Sequence, residues 1–121
     1  MPAPDPRVQL GRNGETLACD LLTGAGLTVL ARNWRCRAGE IDIVAAGPGL
    51  LVFCEVKTRR GTTFGSPAAA VTAGKQARLR ALAASWLAAH DHPPSRVRFD
   101  VVAVTWPRGH APVLDHLEAA F

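Results

Sequence analysis

The sequence predicts an α/β domain in which helices cover a mixed sheet. Three observations carry this. Apolar residues recur at helical spacing in two stretches, β-branched and aliphatic runs fill four others, and the order is helix, three strands, helix, strand. At 121 residues the chain fits one domain, with no repeat, low-complexity segment or linker to divide it. A domain of this length buries about two-thirds of the surface its unfolded chain exposes, and 48% hydrophobic residues suffice for such a core.

The elements follow in order. Residues 1–6, MPAPDP, are broken by proline and expected to be loose. From Arg7 to Thr23, Leu10, Leu17, Ala18, Leu21 and Leu22 return at helical spacing, and Gly24 and Gly26 provide the stop. Leu27–Trp34, LTVLARNW, reads as a strand, and RCRAG as a basic connection into a second strand over Glu40–Ala45. AGPG makes a turn, after which Leu50–Thr58 returns as the third strand. RRGTTFGSP reads as a mobile, glycine-containing loop. The next helix is expected over Ala68–His90, with Leu79, Leu82, Ala83 and Trp86 as its apolar stripe, and DHPPS ends it. Val97–Trp106, VRFDVVAVTW, is the strongest strand signal. The tail from Val113 to Phe121 reads either as a last short strand or as a helical turn.

Composition excludes several classes. The longest apolar run, Leu50–Cys54, is far short of the roughly 18–20 residues that span a bilayer, and MPAPDPR has no signal-peptide apolar region. The expectation is a cytoplasmic protein without a membrane partner. Cys19, Cys36 and Cys54 are odd in number and widely spaced, which suits buried reduced thiols better than a disulfide framework or a zinc site. There is no P-loop, no dinucleotide fingerprint and no Cys–His nucleophile pair; Gly47-Pro48-Gly49 is a turn. Fourteen basic residues against ten acidic give a net charge of +4, and lysine occurs only at positions 57 and 75. The arginine fork suits phosphate, so a polyanionic partner fits, although a GC-biased codon supply produces the same enrichment.

The chemistry lies in the hairpin GEIDIVAAGPGLLVFCEVKTRR, which sets Asp42, Glu55 and Lys57 among apolar strand residues. Side chains alternate across a strand, so Phe53, Glu55 and Lys57 share one face and Val52, Cys54 and Val56 the other. Glu40, Asp42 and Val44 likewise share a face. If the turn pairs Asp42 with Phe53 or with Glu55, the three charges project together; a slip of one residue sends Asp42 to the opposite side. Two carboxylates about 4 Å apart repel by roughly 4 kcal/mol at an effective dielectric near 20, against a total stability of about 5–15 kcal/mol. A raised pKa, the Lys57 ammonium or a bound cation has to offset that repulsion. Hard oxygen ligands at a sheet edge suit Mg²⁺ or Mn²⁺. Such a cation lowers the pKa of a bound water and neutralises charge developing on a phosphorane, while Lys57 can reach the water or a non-bridging oxygen. The plain alternative is an exposed Glu–Lys cross-strand pair worth about 0.2–1 kcal/mol.

The motifs GRNGETLA, ARNWRCRAGEIDIV, VFCEVKTRR, FGSPAAAVTAGKQARL and RFDVVAV, in this order over roughly residues 11–105, resemble the PD-(D/E)xK nuclease superfamily. The closer resemblance is to the YraN family of uncharacterised bacterial proteins. It implies a restriction-endonuclease-like core. It also implies that Asp42 and Glu55 bind metal and that Lys57 assists the nucleophile. Glu15, in GRNGE, resembles the first-helix acid of resolvase-like members, and its spacing from Ala18 and Leu22 lets it border the buried stripe. Gln76 resembles a polar site residue on the helix after the E-x-K strand, with Lys75 beside it as a phosphate contact; a surface helix cap is the alternative for both. Ile41 stands where the superfamily pattern has proline. Glu40 could join the ligands or bond nearby backbone.

Arg35, Arg37, Arg59 and Arg60 flank the charged strands and would form a phosphate-binding rim if they border one cleft. Asp100 shares a buried strand face with Val102 and Val104, which suits a structural ion pair with an arginine. His90 and His92 fall at a helix end, where an imidazolium suits the dipole. The resemblance as a whole implies a Mg²⁺- or Mn²⁺-dependent endonuclease acting on DNA phosphodiesters, branched or structured, with a homodimer needed to cut two strands together. A non-catalytic nucleic-acid-binding module and a scaffold with internally paired charges are the alternatives.

Overall fold

The computed structural model describes residues 5–61, 71–90 and 94–121. The elements are α1 (Pro6–Gly24), β1 (Thr28–Cys36), β2 (Gly39–Gly47), β3 (Leu50–Arg59), α2 (Ala73–Ala89), β4 (Arg96–Thr105) and β5 (Val113–Leu117). One five-stranded sheet runs in the order β1-β2-β3-β4-β5. Only β3 and β4 pair in parallel, and the chain between them carries α2. The result is the expected mixed sheet with a helix on each face, consistent with a restriction-endonuclease-like core.

Alternation along the strands divides the core into two layers. Under α2, Leu79, Leu82, Ala83 and Trp86 meet Ile41, Val44, Leu51, Phe53 and Phe99. Under α1, Ala18 and Leu22 meet Ile43, Ala45, Val52, Cys54, Val102 and Val104. Each fully buried aliphatic side chain contributes about 1.5–3 kcal/mol, so both helices are held by burial. Among the described residues no helix is long and apolar enough to cross a membrane.

Element boundaries differ from the sequence reading, three of them for a clear local reason. Asp5 and Pro6 are ordered into the start of α1: the Asp5 carboxylate accepts the Arg7 N–H at 2.8 Å, and proline's fixed φ suits the first helical turn. Residues 1–4 lie outside the described residues. β1 continues to Cys36 because only Arg37 and Ala38 are needed to turn into β2, which places Arg35 on a strand rather than in a connection. α2 begins at Ala73, five residues after the expected Ala68, because the Thr72 hydroxyl caps it by accepting the Lys75 N–H. Much of the expected loop, residues 62–67, and positions 68–70 lie outside the description. The tail resolves as β5, antiparallel to β4.

The β2–β3 register decides the site. Val44 pairs with Phe53 and Ile43 with Cys54, so the next step sets Asp42 across from Glu55. There the ladder stops, and the Asp42 side chain takes the Val56 N–H that a strand carbonyl would otherwise accept, at 2.8 Å. β1 is irregular too: its register shifts between Val29 and Ala31, opposite Ala45 and Val44, and Asn33, level with Asp42, has φ of 51°. Ile41 and Val44 therefore both enter the α2-side core, although strict alternation would separate them.

Candidate metal centre

The GRNGE segment docks through its second glycine. A Cβ at Gly14 would overlap the Thr58 side chain of β3, so α1 approaches the sheet at a distance only glycine permits. The next residue, Glu15, is thereby carried to the end of the sheet where β2 and β3 diverge. Glu15, Glu40 and Asp42, all half-buried, offer carboxylate oxygens within 4.8 Å of one another. They come from α1 and β2, two elements that meet only in the folded chain.

Few donors answer these carboxylates. The Asn33 amide nitrogen donates to Glu15 Oε2 at 2.8 Å and to Glu40 Oε1 at 2.7 Å. Arg35 Nε approaches Glu40 Oε2 at 2.9 Å, from a side chain that is 77% exposed; such a pair contributes about 1 kcal/mol or less. Asp42 has the Val56 N–H. Glu15 and Glu40 line an open cleft of about 580 Å³ together with Arg7, Arg12, Asn33, Arg35 and Lys57.

The crowding appears in the titration of the pair beneath. Burial first, and then the Glu55 charge, push the Asp42 carboxyl up to about 7; Glu15 and Glu40 add to the rise and the Val56 N–H opposes it. Glu55 is also raised by burial, against the opposing pull of Lys75, Arg78 and Lys57 and of a hydrogen bond with Asp42. Both carboxyls are thus harder to ionise than free ones, the mark of a shortage of positive charge around them. The donors are hard carboxylate oxygens of high charge density, with room beside them for water and phosphate, which fits Mg²⁺ or Mn²⁺.

The structure brings together Glu15 and Asp42 and adds Glu40. Glu55 stands level with Asp42 on the neighbouring strand, but outside the group of three. Lys57 lines the cleft. Gln76 is not in the cluster; its side chain donates to the Val71 carbonyl at 3.3 Å, beside the start of α2. Lys75 acts on Glu55 through its charge. The rim differs from the one expected. Arg35 borders the cleft, while Arg37, Arg59 and Arg60 do not, and Arg60 Nη1 donates to the Trp106 carbonyl at 3.3 Å. Arg7 and Arg12 of α1 also line the cleft. Two features went unread: the bridging role of Asn33, whose one visible signal is an asparagine inside a strand, and the rim residues Arg7 and Arg12, at five-residue spacing on a helix.

Two other groups prove structural. Asp100, with no exposed surface, is gripped by Arg98 Nε and Nη2 at 2.8 and 2.9 Å, by His116 Nε2 at 2.8 Å and by the Ala119 N–H at 3.1 Å. His90 stacks on Trp86 with centroids 3.7 Å apart and donates Nδ1–H to the Trp86 carbonyl at 2.7 Å. His92 lies outside the described residues.

Comparison with known proteins agrees with the motifs. The profile of the uncharacterised protein family UPF0102 matches residues 14–104. A UPF0102 protein of Nocardia farcinica is 54% identical over 112 residues, covering 93% of this chain and 88% of its own. One from Streptomyces coelicolor is 58% identical over 112 residues, covering 91% and 86%. One from Frankia alni is 55% identical over 112 residues, covering 93% of both chains.

Proposed function

This chain belongs to the UPF0102 family, which includes YraN, and for it we propose a divalent-cation-dependent endonuclease activity on DNA phosphodiesters. The observation that carries the reading is the gathering of Glu15, Glu40 and Asp42 within 4.8 Å, with Glu55 coupled to Asp42 and Lys57 in the adjoining cleft. Asp42, Glu15 and Glu40 would hold Mg²⁺ or Mn²⁺, with Glu55, level with Asp42 on the neighbouring strand, completing the set. When bound, the ion lowers the pKa of a coordinated water and neutralises charge building on phosphorus.

The remaining work falls to the chain itself. Lys57 Nζ donates a hydrogen bond to a non-bridging phosphate oxygen or to the attacking water. Arg7, Arg12 and Arg35 hold the flanking phosphates, and their contribution weakens with salt as counterions compete. A net charge of +4, carried mainly by arginine, supports a nucleic-acid partner. Cutting both strands together calls for a second copy of the chain.

The test incubates purified protein with single-stranded, duplex, flap and four-way DNA in Mg²⁺, Mn²⁺ or EDTA. Nicking that needs the metal and disappears in Asp42→Asn and Lys57→Ala supports the reading. Saturable DNA binding with no metal-dependent nicking on any substrate overturns it in favour of a binding module.

A further inference from the structure

We propose that Asn33 is the positioning residue of the carboxylate cluster, orienting Glu15 and Glu40 as cation ligands without neutralising them; this rests on the metal reading above. Both hydrogens of one amide nitrogen are committed, to Glu15 Oε2 at 2.8 Å and to Glu40 Oε1 at 2.7 Å. These carboxylates belong to α1 and β2, repel each other, and have no other described group holding both. A lysine or arginine in the same place would hold them more tightly and would also supply the positive charge that the cation is to bring. An amide fixes direction and leaves the charge unmet.

The backbone narrows the choice of residue further. At φ of 51° position 33 lies in the left-handed region, which glycine and asparagine enter far more readily than other residues. Glycine would meet the backbone requirement with no amide, and glutamine would bring an amide with a poor backbone fit. Asparagine satisfies both. The same left-handed residue breaks the alternation of β1, so that Trp34 and its partner Ile41 join the α2-side core while the Asn33 side chain lines the cleft with Glu15 and Glu40.

The test uses the full chain and Asn33→Gly, which keeps the left-handed backbone and removes the bridge. Mn²⁺ alone is titrated calorimetrically at pH 7.5, and melting is followed in EDTA. Asn33→Gly is expected to remain folded and to bind Mn²⁺ at least tenfold more weakly than wild type; binding within twofold overturns the role. Asn33→Ser, whose short hydroxyl cannot bridge both carboxylates, provides the same comparison if the glycine variant does not fold. A metal-free readout accompanies these. The melting-temperature change caused by Asn33→Gly should fall by more than half in a Glu15→Ala background, because the bridge is already broken there, and additive changes overturn the role. A wild-type chain that takes up no Mn²⁺ overturns the metal reading and this role with it. A wild-type chain that binds Mn²⁺ no better than Asn33→Gly overturns this role alone.

Discussion

Asp100 and Asp42 occupy strands of the same sheet and meet opposite electrostatic surroundings. Asp100 is fully buried and completely answered: a two-pronged arginine, a histidine and a backbone N–H surround its two oxygens. Asp42 is less buried, yet its neighbours are Glu15, Glu40 and Glu55, and its one described protein donor is the Val56 N–H. The fold can therefore bury a carboxylate with full compensation, and at Asp42 the described donors leave it incomplete. A buried charge is costly unless paired. The contrast separates a charge cluster whose partners are all present from one whose carboxylates find few donors among the described residues.

The largest effect expected is at the completed site. Asp100→Ala strands the Arg98 guanidinium, which is only 16% exposed, and should cost about 3–5 kcal/mol in urea unfolding. A loss below about 1 kcal/mol would mean that Asp100 is not the anchor its contacts imply. At the incomplete site, Asp42→Asn and Lys57→Ala should each lower metal-dependent nicking at least a hundredfold, equivalent to about 2.7 kcal/mol of barrier, while the variants stay folded. Activity within threefold of wild type would remove these residues from the chemistry.

Stability should move the other way at Asp42. In EDTA, Asp42→Asn relieves carboxylate repulsion while its amide oxygen can still accept the Val56 N–H, so the variant should be about 1 kcal/mol more stable than wild type near pH 8. A destabilised variant would show that the cluster is already balanced internally. The same pair also predicts a pH slope. Asp42 titrates at about 7 in the folded chain, against about 3.9 unfolded, so the native state retains a proton that the unfolded chain has released. Its contribution is full below about pH 4 and declines as pH rises to about 7. The melting temperature of wild type minus that of Asp42→Asn, in EDTA, should fall across that window and then level; a flat difference would contradict the assignment.

How much of this could be read from sequence differs between the two sites for the same reason. Asp42, Glu55 and Lys57 lie within one hairpin, whose short turn sets Asp42 level with Glu55, although alternation breaks in β2 between Ile41 and Val44 and the expected common face of Asp42 and Val44 is not kept. Asp100 announced itself as a charge in a hydrophobic strand, and Arg98, two residues away on the same face, was within reach of that reasoning. His116, sixteen residues on, became visible only when β5 paired with β4. Asn33 was hidden because its function depends on a left-handed φ and on the docking of α1, neither of which is a local propensity. The cleft lining was hidden for a similar reason: adjacency in sequence pointed to Arg59 and Arg60, whereas α1 brings Arg7 and Arg12 to the cleft. The start of α2 was misjudged because an alanine-rich run reads as helix wherever it lies, and Thr72 sets the boundary through one hydrogen bond.

The proposed function requires the cluster around Asp42, short of positive charge, to complete itself with a divalent cation. Calorimetric titration of Mn²⁺ into wild type and Asp42→Asn at pH 7.5 tests it most directly. A saturable site in wild type that vanishes in the variant, with proton release on binding, is the expected result. No binding by wild type, or equal binding by both chains, would contradict it.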